Sequence, residues 1–328
     1  MAHTHPPIIP ILGPLEPGTT QRHMVTLPGD ALADEPRPVT TITGARPGPT
    51  LFVNAGVHGG EYPAVETVIR LGMRLDAAEI AGTVVLMPVL NLPAFWKRSM
   101  FVCPVDNVNP NRVFPGDPHG TYSEQMAHAL VNAFIVHADA YIDLHGGDIP
   151  EALVPFSICR KGDDPADAQA AELARVFGLP SLLTVDRPIQ QAKGSSSYVA
   201  AAERGVPGVL AEAGGVGQLQ PDAVDLLMDG VHRVLAHLGM AAKTVPDAPP
   251  PTVLTSFEWL YTKHAGMFYP SVAVNDEVRA GQEIGRVGSL FGETLEKITS
   301  PVAGRVLFLT INPAVLANGL VIGIGVAE

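Results

Sequence analysis

Residues 51–74 have the sequence LFVNAGVHGGEYPAVETVIRLGMR. The first four residues predict a short buried strand, and Val65, Val68 and Leu71 have the spacing of an amphipathic helix. Pro63 stands where the first turn of that helix would lie, a position that tolerates proline. The segment therefore predicts a strand, a glycine-containing loop and a helix, which is the repeating unit of an α/β fold.

The same alternation continues along the chain. Further predicted strands cover residues 83–88, 140–144 and 208–211, and predicted helices cover residues 63–74, 123–137, 164–177 and 221–238. Residues 20–44 contain shorter segments broken by prolines, which favours an antiparallel edge. We therefore predict an α/β fold with a mostly parallel mixed sheet that is flanked by helices on both faces.

The C-terminal part of the sequence has a different pattern. Residues 243–252 are rich in proline and predict a semi-rigid linker. After it, turn signals separate short predicted strands at residues 272–274, 283–288, 304–309 and 320–324. The motifs VNDEVRAGQEIGRV, ITSPVAGRVLFL and NGLVIGIG resemble the biotinyl/lipoyl β-sandwich. The expected organisation is a catalytic domain over residues 1–242, the linker, and a small all-β sandwich or barrel domain over residues 253–328.

Candidate metal ligands follow two of the predicted strands. His58 and Glu61 lie in the loop after residues 51–54, and His145 comes directly after residues 140–144. An isolated His-x-x-Glu pair also occurs by chance, so the interpretation depends on this shared context. Parallel strands end at one edge of a sheet, and two close ligands plus a distant one commonly hold catalytic zinc with a fourth position left for water. We predict one Zn²⁺ per chain and hydrolytic chemistry.

Two carboxylates are placed to assist such a metal. Glu212 ends the run over residues 208–211 and is expected at the same edge, where a carboxylate can take a proton from water. Its alternative role is helix capping or ion pairing. Asp143 lies two positions before His145 on one strand, so both side chains point to the same side. Asp143 is therefore a candidate for orienting the His145 imidazole.

Asn111 and Arg112 are candidates for substrate binding. An amide next to a planar guanidinium is suited to holding a carboxylate through paired hydrogen bonds. The alternative is a surface ion pair near a turn, which would contribute little. The position of the pair, between the segments that carry the candidate ligands, favours the binding role.

Four motifs in this order, NAGVHGGEYPAVE, NPNRVFPGD, YIDLHGG and VLAEAGG, resemble the succinylglutamate desuccinylase/aspartoacylase family, relatives of the zinc carboxypeptidases. The resemblance implies that zinc is bound by His58, Glu61 and His145. It also implies that Asn111 and Arg112 bind a carboxylate of the substrate, and that Glu212 is the general base and acid. It also implies a C-terminal β-domain that caps the site. The last two motifs resemble a subgroup that includes the deacetylase of acetylated diaminobutyrate.

The family also has a second arginine, which polarises the scissile carbonyl and precedes the Asn-Arg pair by several residues. This sequence has no arginine at that distance, and the nearest one, Arg98, is therefore the candidate for that role. Tyr261, His264 and Tyr269 of the C-terminal region are further polar or aromatic side chains whose distance from the pocket the sequence leaves open.

Composition limits the remaining possibilities. A net charge of -12 without a basic stripe argues against nucleic-acid binding. Neither a signal peptide nor a long apolar run is evident, and two cysteines form no disulfide framework, so a cytoplasmic location without membrane contact is expected. We predict a hydrolase of linear amides acting on a small N-acyl amino acid or amine, with homo-oligomerisation left open. The alternatives are a zinc carboxypeptidase for short peptides and a non-catalytic metal-binding scaffold.

Overall fold

The computed structural model describes residues 9–185, 193–242 and 244–327. The strands are β1 (Thr19–Val25), β2 (Arg37–Thr43), β3 (Arg46–Ala55), β4 (Ala81–Met87), β5 (Ala140–His145), β6 (Glu151–Leu153), β7 (Phe156–Arg160), β8 (Ser181–Val185), β9 (Gly208–Glu212), β10 (Thr252–Tyr261), β11 (Gly266–Pro270), β12 (Glu277–Val278), β13 (Glu283–Gly288), β14 (Thr294–Thr299), β15 (Gly304–Thr310), β16 (Ala314–Val315) and β17 (Leu320–Ala327). The helices are α1 (Tyr62–Arg74), α2 (Leu92–Lys97), α3 (Tyr122–Ala133), α4 (Pro165–Phe177), α5 (Ser197–Ala202) and α6 (Pro221–His237). Short 3-10 helices cover Pro10–Leu12, Asp30–Leu32, Pro110–Arg112 and Ile135–His137.

Parallel strands form the middle of a large mixed sheet. β3 pairs in parallel with β4 and β5, and β5 pairs in parallel with β9. β1 and β2 continue the sheet beyond β4 as antiparallel strands. On the other side, β9 is followed in order by β7, β8, β10, β17, β15 and β12. The predicted parallel sheet with an antiparallel edge over residues 20–44 is therefore confirmed.

The middle of the sheet is buried on both faces. Leu51 and Val53 of β3 belong to a core cluster that also contains apolar side chains of α1, α4 and α6. Phe52 points to the opposite face and joins a second cluster with side chains of α3. There its ring stacks on Phe134 and Tyr141, with centroid distances of 5.2 and 5.6 Å. Because both faces of β3 are covered, its apolar residues follow one another without alternating with polar ones.

The helices that cover the sheet are amphipathic. α6 extends over 17 residues and buries Val224, Leu227 and Val231 against the sheet side, whereas Asp225 is 68% exposed. None of the helices within the described ranges combines the length and apolarity that crossing a membrane requires.

The large sheet continues into the C-terminal region, residues 253–328. β10 pairs in parallel with β8, with Thr252 opposite Ser181, and its other edge pairs antiparallel with β17. A separate four-stranded sheet contains β14, β13, β11 and β16. The predicted fold class, an α/β sheet plus a small all-β unit, is confirmed. The proposed domain boundaries stay predictions, and residue 243, the expected start of the linker, lies outside the described residues.

One predicted strand is wrong. Residues 272–274 form a bend and the start of a turn between β11 and β12. Val272 and Val274 are apolar because they pack against the C-terminal core rather than because they pair in a sheet. The turn is fixed by Asn275, whose φ is 76°, and by the Asp276 carboxylate, which accepts a hydrogen bond from the Ala273 amide at 2.8 Å. The sequence pattern also missed β10, β11, β12, β14 and β16 of this region, and β6, β7 and β8 before it.

A short strand ties the segment after His145 to the C-terminal region. β6 pairs antiparallel with β15, with Glu151 opposite Thr310 and Leu153 opposite Phe308. The carbonyl of Pro150 accepts a further hydrogen bond from the amide of Ile311 at 2.8 Å. The C-terminal region therefore fixes the position of a loop that begins at a candidate ligand.

Candidate active site

The candidate site lies at the carboxyl edge of the parallel strands. β3 ends at Ala55, β5 at His145 and β9 at Glu212. His145 and Glu212 are register partners across β5 and β9. The loop after β3 carries His58, and Glu61 stands at the N-cap of α1. Open α/β sheets bind their ligands at this edge, and the sheet here brings all four predicted side chains to it.

His58, Glu61 and His145 form a compact set of candidate metal ligands. One nitrogen or oxygen from each lies within 4.8 Å of the others. Nδ1 of His58 is 2.7 Å from Oε1 of Glu61, and Nδ1 of His145 is 2.9 Å from Oε2. Glu61 Oε2 is buried, yet the approach of His145 lacks hydrogen-bond geometry and leaves this oxygen without a partner. An unsatisfied carboxylate oxygen between two imidazoles fits a metal ion.

The outer nitrogens of both imidazoles face oxygen atoms. Nε2 of His58 is 3.0 Å from Oδ1 of Asn109. Nε2 of His145 is 3.1 Å from Oδ2 of Asp143, an ion-pair distance without hydrogen-bond geometry. With the proton on Nε2, each ring directs the lone pair of Nδ1 into the cluster, which is how oriented histidines bind metals. Asp143 is itself fixed by hydrogen bonds from Asn54 Nδ2, at 3.0 Å, and from the Ser197 hydroxyl.

Two glycines allow the ligand loop to pack closely. A Cβ atom on Gly59 would lie 2.2 Å from the carbonyl carbon of Ala94 in α2, and one on Gly60 would lie 2.2 Å from Oδ1 of Asp148. Asp148 is fully buried, and its Oδ2 accepts a hydrogen bond from the Phe101 amide at 2.6 Å. Side chains larger than hydrogen at either glycine would push the loop, and with it the neighbouring ligands, out of place.

Glu212 lies beside the ligand cluster without being part of it. It is half-buried, and burial raises its pKa well above the ordinary value for glutamate. The charge of His145 opposes this effect, while Glu61 and Glu151 add to it. A carboxyl group whose pKa is shifted upward can hold and release a proton near neutral pH, as a general base and acid must.

Arg112 is the candidate anchor for a substrate carboxylate. It ends the 3-10 helix Pro110–Arg112, and its Nη1 donates a 2.7 Å hydrogen bond to the carbonyl of buried Asn111. Burial lowers the pKa of Arg112, and the charges of Tyr198, Tyr261 and Glu212 oppose that shift. Arg112 is thus a largely buried cation close to Glu212, with Tyr261 contributed by the C-terminal region.

Three candidates from the sequence lie elsewhere. Arg98 caps the C-terminus of α2 with a φ of 54° and is exposed. His264 is exposed in the loop before β11. Tyr269 stacks its ring under the guanidinium of Arg286, at 4.1 Å, in the small sheet. The structure therefore does not join Arg98, His264 or Tyr269 to the site.

Three residues near the cluster were absent from the sequence-based set. Asn109 belongs to the NPNRVFPGD motif, but only Asn111 and Arg112 of that motif were predicted to have a role. Asp148 and Glu151 follow the His-Gly-Gly segment that begins at His145. Burial is the main cause that raises the pKa of Glu151 to about 8, and the charges of Glu61 and Asp148 add to this effect. No sequence spacing marks these carboxylates as part of the site.

The site electrostatics predict pH-dependent metal binding. Burial alone would lower the pKa values of His58 and His145, but nearby carboxylates outweigh this effect and raise both. Glu61 raises the pKa of His58, and Asp143 together with Glu61 raises that of His145. Burial would likewise raise the pKa of Glu61, but the two imidazoles hold it at about 2. Without metal, both histidines therefore keep protons above pH 6.5, their ordinary pKa, and a metal must displace them.

We expect the apparent Zn²⁺ affinity of the metal-free protein to increase about ten-fold per pH unit for each proton displaced, up to the raised pKa values. Titration calorimetry in two buffers of different ionisation enthalpy measures both the affinity and the protons released. An affinity that is constant between about pH 6 and 8, with no proton release, would contradict the assigned cluster.

Residues 47–238, more than half of the chain, match the succinylglutamate desuccinylase/aspartoacylase catalytic domain. The chain belongs to this family. N-alpha-acetyl-L-2,4-diaminobutyric acid deacetylase of Halomonas elongata is 29% identical over 256 residues, which are 76% of this chain and 73% of that protein. The predicted family is thus confirmed.

Solved structures of desuccinylase/aspartoacylase proteins share the whole architecture. A succinylglutamate desuccinylase/aspartoacylase from Rhodobacter sphaeroides is 26% identical with a TM-score of 0.82 and covers 94% and 95% of the two chains. The product-bound ectoine utilization protein EutE (DoeB) from Ruegeria pomeroyi is 24% identical with a TM-score of 0.85 and covers 95% and 97%. Family members with these names are enzymes that act on amide bonds, so the predicted enzyme class is confirmed.

Proposed function

We propose that this protein is a zinc-dependent deacylase that hydrolyses a small N-acyl amino acid to a carboxylic acid and an amine. The observation that carries the proposal is the convergence of His58, Glu61 and His145 beside a separate carboxylate, Glu212. Two nitrogen donors and one oxygen donor match catalytic zinc sites, which keep one position for water. The family match supports amide hydrolysis as the reaction.

A zinc ion held by these ligands would acidify a water molecule and polarise the amide carbonyl. Glu212 accepts the proton of the attacking water at its carboxylate, while the new bond forms between the water oxygen and the carbonyl carbon. Glu212 then donates that proton to the nitrogen as the carbon–nitrogen bond breaks. Its raised pKa suits both transfers, since the carboxyl group must carry the proton between them.

Arg112 provides the anchor for the amino-acid carboxylate. Its guanidinium is planar and largely enclosed, and a paired hydrogen bond to a carboxylate fixes the orientation as well as the charge of the ligand. Asn111 is only 5% exposed, and its carbonyl positions Arg112 by accepting the hydrogen bond from Nη1 of that side chain. The charge of Glu212 acts on Arg112, which supports placing a substrate carboxylate held by Arg112 on the same side of the site as the proton-transfer group.

The substrate class and the cellular location are part of the same proposal. The relative from Halomonas elongata is a deacetylase of an acetylated diamino acid, which supports an N-acyl amino acid as the substrate class here. Cys103 and Cys159 are buried and unpaired, as a reducing cytoplasm permits. The cytoplasmic location, the absence of nucleic-acid and membrane partners, the capping role of the C-terminal region and homo-oligomerisation remain predictions.

A substrate panel with metal removal tests the proposal. We expect N-acetyl amino acids to be hydrolysed, activity to fall about 100-fold or more after dialysis against a chelator, and stoichiometric Zn²⁺ to restore it, because the carbonyl and water lose their activation without the metal. Released amine is measured directly. Faster cleavage of short peptides would favour the carboxypeptidase alternative, and a zinc-loaded protein that cleaves nothing in the panel would favour the scaffold alternative.

A further inference from the structure

The segment that leads into α5 is attached to the chain around the substrate anchor. The amide of Gly194 donates a hydrogen bond to the carbonyl of Arg112 at 2.8 Å, and Ser195 and Phe114 exchange two backbone hydrogen bonds of 2.7 and 3.1 Å. Ser197, the first residue of α5, is 0% exposed. The backbone next to the anchor therefore fixes where α5 begins and where the Ser197 side chain lies.

The Ser197 hydroxyl holds the carboxylate beside His145. It donates a hydrogen bond to Oδ2 of Asp143, the same oxygen that lies 3.1 Å from Nε2 of His145. Oδ1 of Asp143 accepts a second hydrogen bond, from Nδ2 of Asn54 at 3.0 Å. Asp143 is 0% exposed, so no bulk water replaces either bond if the carboxylate turns. The hydroxyl thus sets the position of the oxygen that faces the imidazole.

The Ser197 amide holds the side chain of Asn111. It donates a hydrogen bond to Oδ1 of Asn111 at 3.2 Å. Because a backbone amide only donates, its partner must be the oxygen of the Asn111 side chain and not the nitrogen. Nδ2 of Asn111 donates to no residue within the described ranges, since its other hydrogen bonds use its backbone. Both hydrogens on Nδ2 therefore remain for a substrate carboxylate.

The contacts of Asn111 continue to the other imidazole. The amide of Asn111 donates a hydrogen bond to Oδ1 of Asn109 at 2.9 Å, and the same oxygen lies 3.0 Å from Nε2 of His58. A continuous series of polar contacts thus joins the outer nitrogens of the two imidazoles, in the order His58, Asn109, Asn111, Ser197, Asp143 and His145. Ser197 stands where the anchor part of this series meets the ligand part.

We propose that Ser197 is a positioning residue that aligns the zinc ligand His145, through Asp143, and the substrate anchor Asn111. This inference rests on the proposed function. The hydroxyl acts on the metal side and the amide on the substrate side, so substitutions can separate the two effects. Both alignments matter for hydrolysis, because the substrate carbonyl must lie within reach of the activated water.

Ser197→Ala removes the hydroxyl and keeps the amide. We expect zinc binding to weaken by about 10-fold or more, because loss of the outer partners of metal ligands has an effect of this size. KM of the zinc-saturated variant should equal that of the wild type, since the amide still holds Asn111. Competition with a chromophoric chelator measures zinc affinity, and amine release from an N-acetyl amino acid that the wild type hydrolyses measures KM.

A second buried serine provides the comparison. Ser157 of β7 is also 0% exposed, but its hydroxyl has no hydrogen-bond partner within the described ranges. Ser157→Ala therefore removes an equally buried hydroxyl without disturbing the series of contacts. It should bind zinc as tightly as the wild type, and a loss equal to that of Ser197→Ala would show that the effect is not specific to Ser197.

Ser197→Pro removes the hydroxyl and the amide donor together. Proline is tolerated at the first position of a helix, and the preceding Ser196 already has the extended conformation that proline requires, with a ψ of 164°. We expect the zinc affinity of Ser197→Ala, together with a KM that is higher by about 10-fold, the scale of one hydrogen bond to a charged group. A KM equal to that of Ser197→Ala would overturn the assignment of the amide to the substrate anchor.

A double variant tests whether the hydroxyl acts through Asp143. On the background of Asp143→Asn, Ser197→Ala should weaken zinc binding by less than about 3-fold, because a hydrogen bond to a neutral amide is about half as strong as one to a carboxylate. Independent losses that multiply in the double variant, or wild-type zinc affinity in Ser197→Ala, would overturn the positioning role and leave the deacylase function in place. A zinc-loaded wild type that hydrolyses no N-acyl amino acid would instead overturn the proposed function.

Discussion

Replacement of His145 with alanine is expected to remove the metal and with it all measurable hydrolysis. His145 is 1% exposed, and its Nδ1 lies 2.9 Å from Glu61 Oε2. Without this imidazole, only His58 and Glu61 remain in the cluster. Loss of an outer partner of a metal ligand typically weakens binding by about 10-fold to 100-fold, so loss of the ligand itself should exceed about 100-fold. Metal analysis after gel filtration measures the content, and the amine-release assay measures activity.

The matched control is His237→Ala. His237 is an exposed histidine in the last turn of α6, away from the cluster. It should retain wild-type zinc content and activity, which excludes a general effect of losing one imidazole. Wild-type zinc content in His145→Ala, measured at the same protein concentration, would show that the three-residue cluster is not the metal site.

Replacement of Glu212 with glutamine is expected to lower kcat by about 100-fold to 10,000-fold while zinc stays bound, because general acid–base catalysis contributes on this scale. The amide has nearly the same shape and lies outside the ligand cluster, but it cannot carry a proton between water and the leaving nitrogen. KM should change little, since Arg112 still anchors the substrate. Steady-state kinetics and metal analysis on the same preparation measure these effects.

The same variant has a predicted effect on stability. In the metal-free protein the pKa of Glu212 is raised, so the folded state holds its proton more tightly than the unfolded state does. Such a group makes the folded state less stable as pH rises from its ordinary pKa towards its raised value. Glutamine does not titrate, so metal-free Glu212→Gln should melt at a higher temperature than metal-free wild type near neutral pH.

A variant that keeps a carboxylate provides the control for kcat. Glu212→Asp retains the titrating group but withdraws it by one methylene, so we expect an activity between those of wild type and Glu212→Gln. Full activity in Glu212→Gln with zinc bound would assign proton transfer to another group, and Glu151 would be the first residue to examine because it is a neighbouring carboxylate.

The ligand cluster could be predicted from sequence because its members follow strands. His58, His145 and Glu212 come just after or at the end of apolar runs, and parallel strands bring such positions together without further information. Asn109 and Asp148 could not be found in this way, because their contacts depend on how loops pack. Glu151 depends on pairing with Thr310, a contact between distant parts of the chain that no local pattern encodes.

The C-terminal strands were the least predictable part of the fold. The stretch over residues 272–274 has the composition of a strand, yet it forms a bend from which Val272 and Val274 pack against the C-terminal core. β10 was missed although it joins the large sheet through Thr252 and Ser181. Half-exposed strands of this kind show only a weak alternation of apolar and polar residues. Their pairing therefore depends on the neighbouring strands more than on their own sequence. Arg98, the nearest arginine before Asn111 in the sequence, is exposed at the end of α2, because closeness in sequence to Asn111 does not fix the direction of its side chain.

The pairing of β6 with β15 also has an evolutionary consequence. A shift in the register of β15 would displace Glu151 without altering any ligand, because a change of one residue reverses the faces of a paired strand. Mutations near Thr310 can therefore move the segment that follows His145 while the metal-ligand motifs stay constant. Homologues with identical ligand motifs but different C-terminal strands should not be assumed to share a substrate.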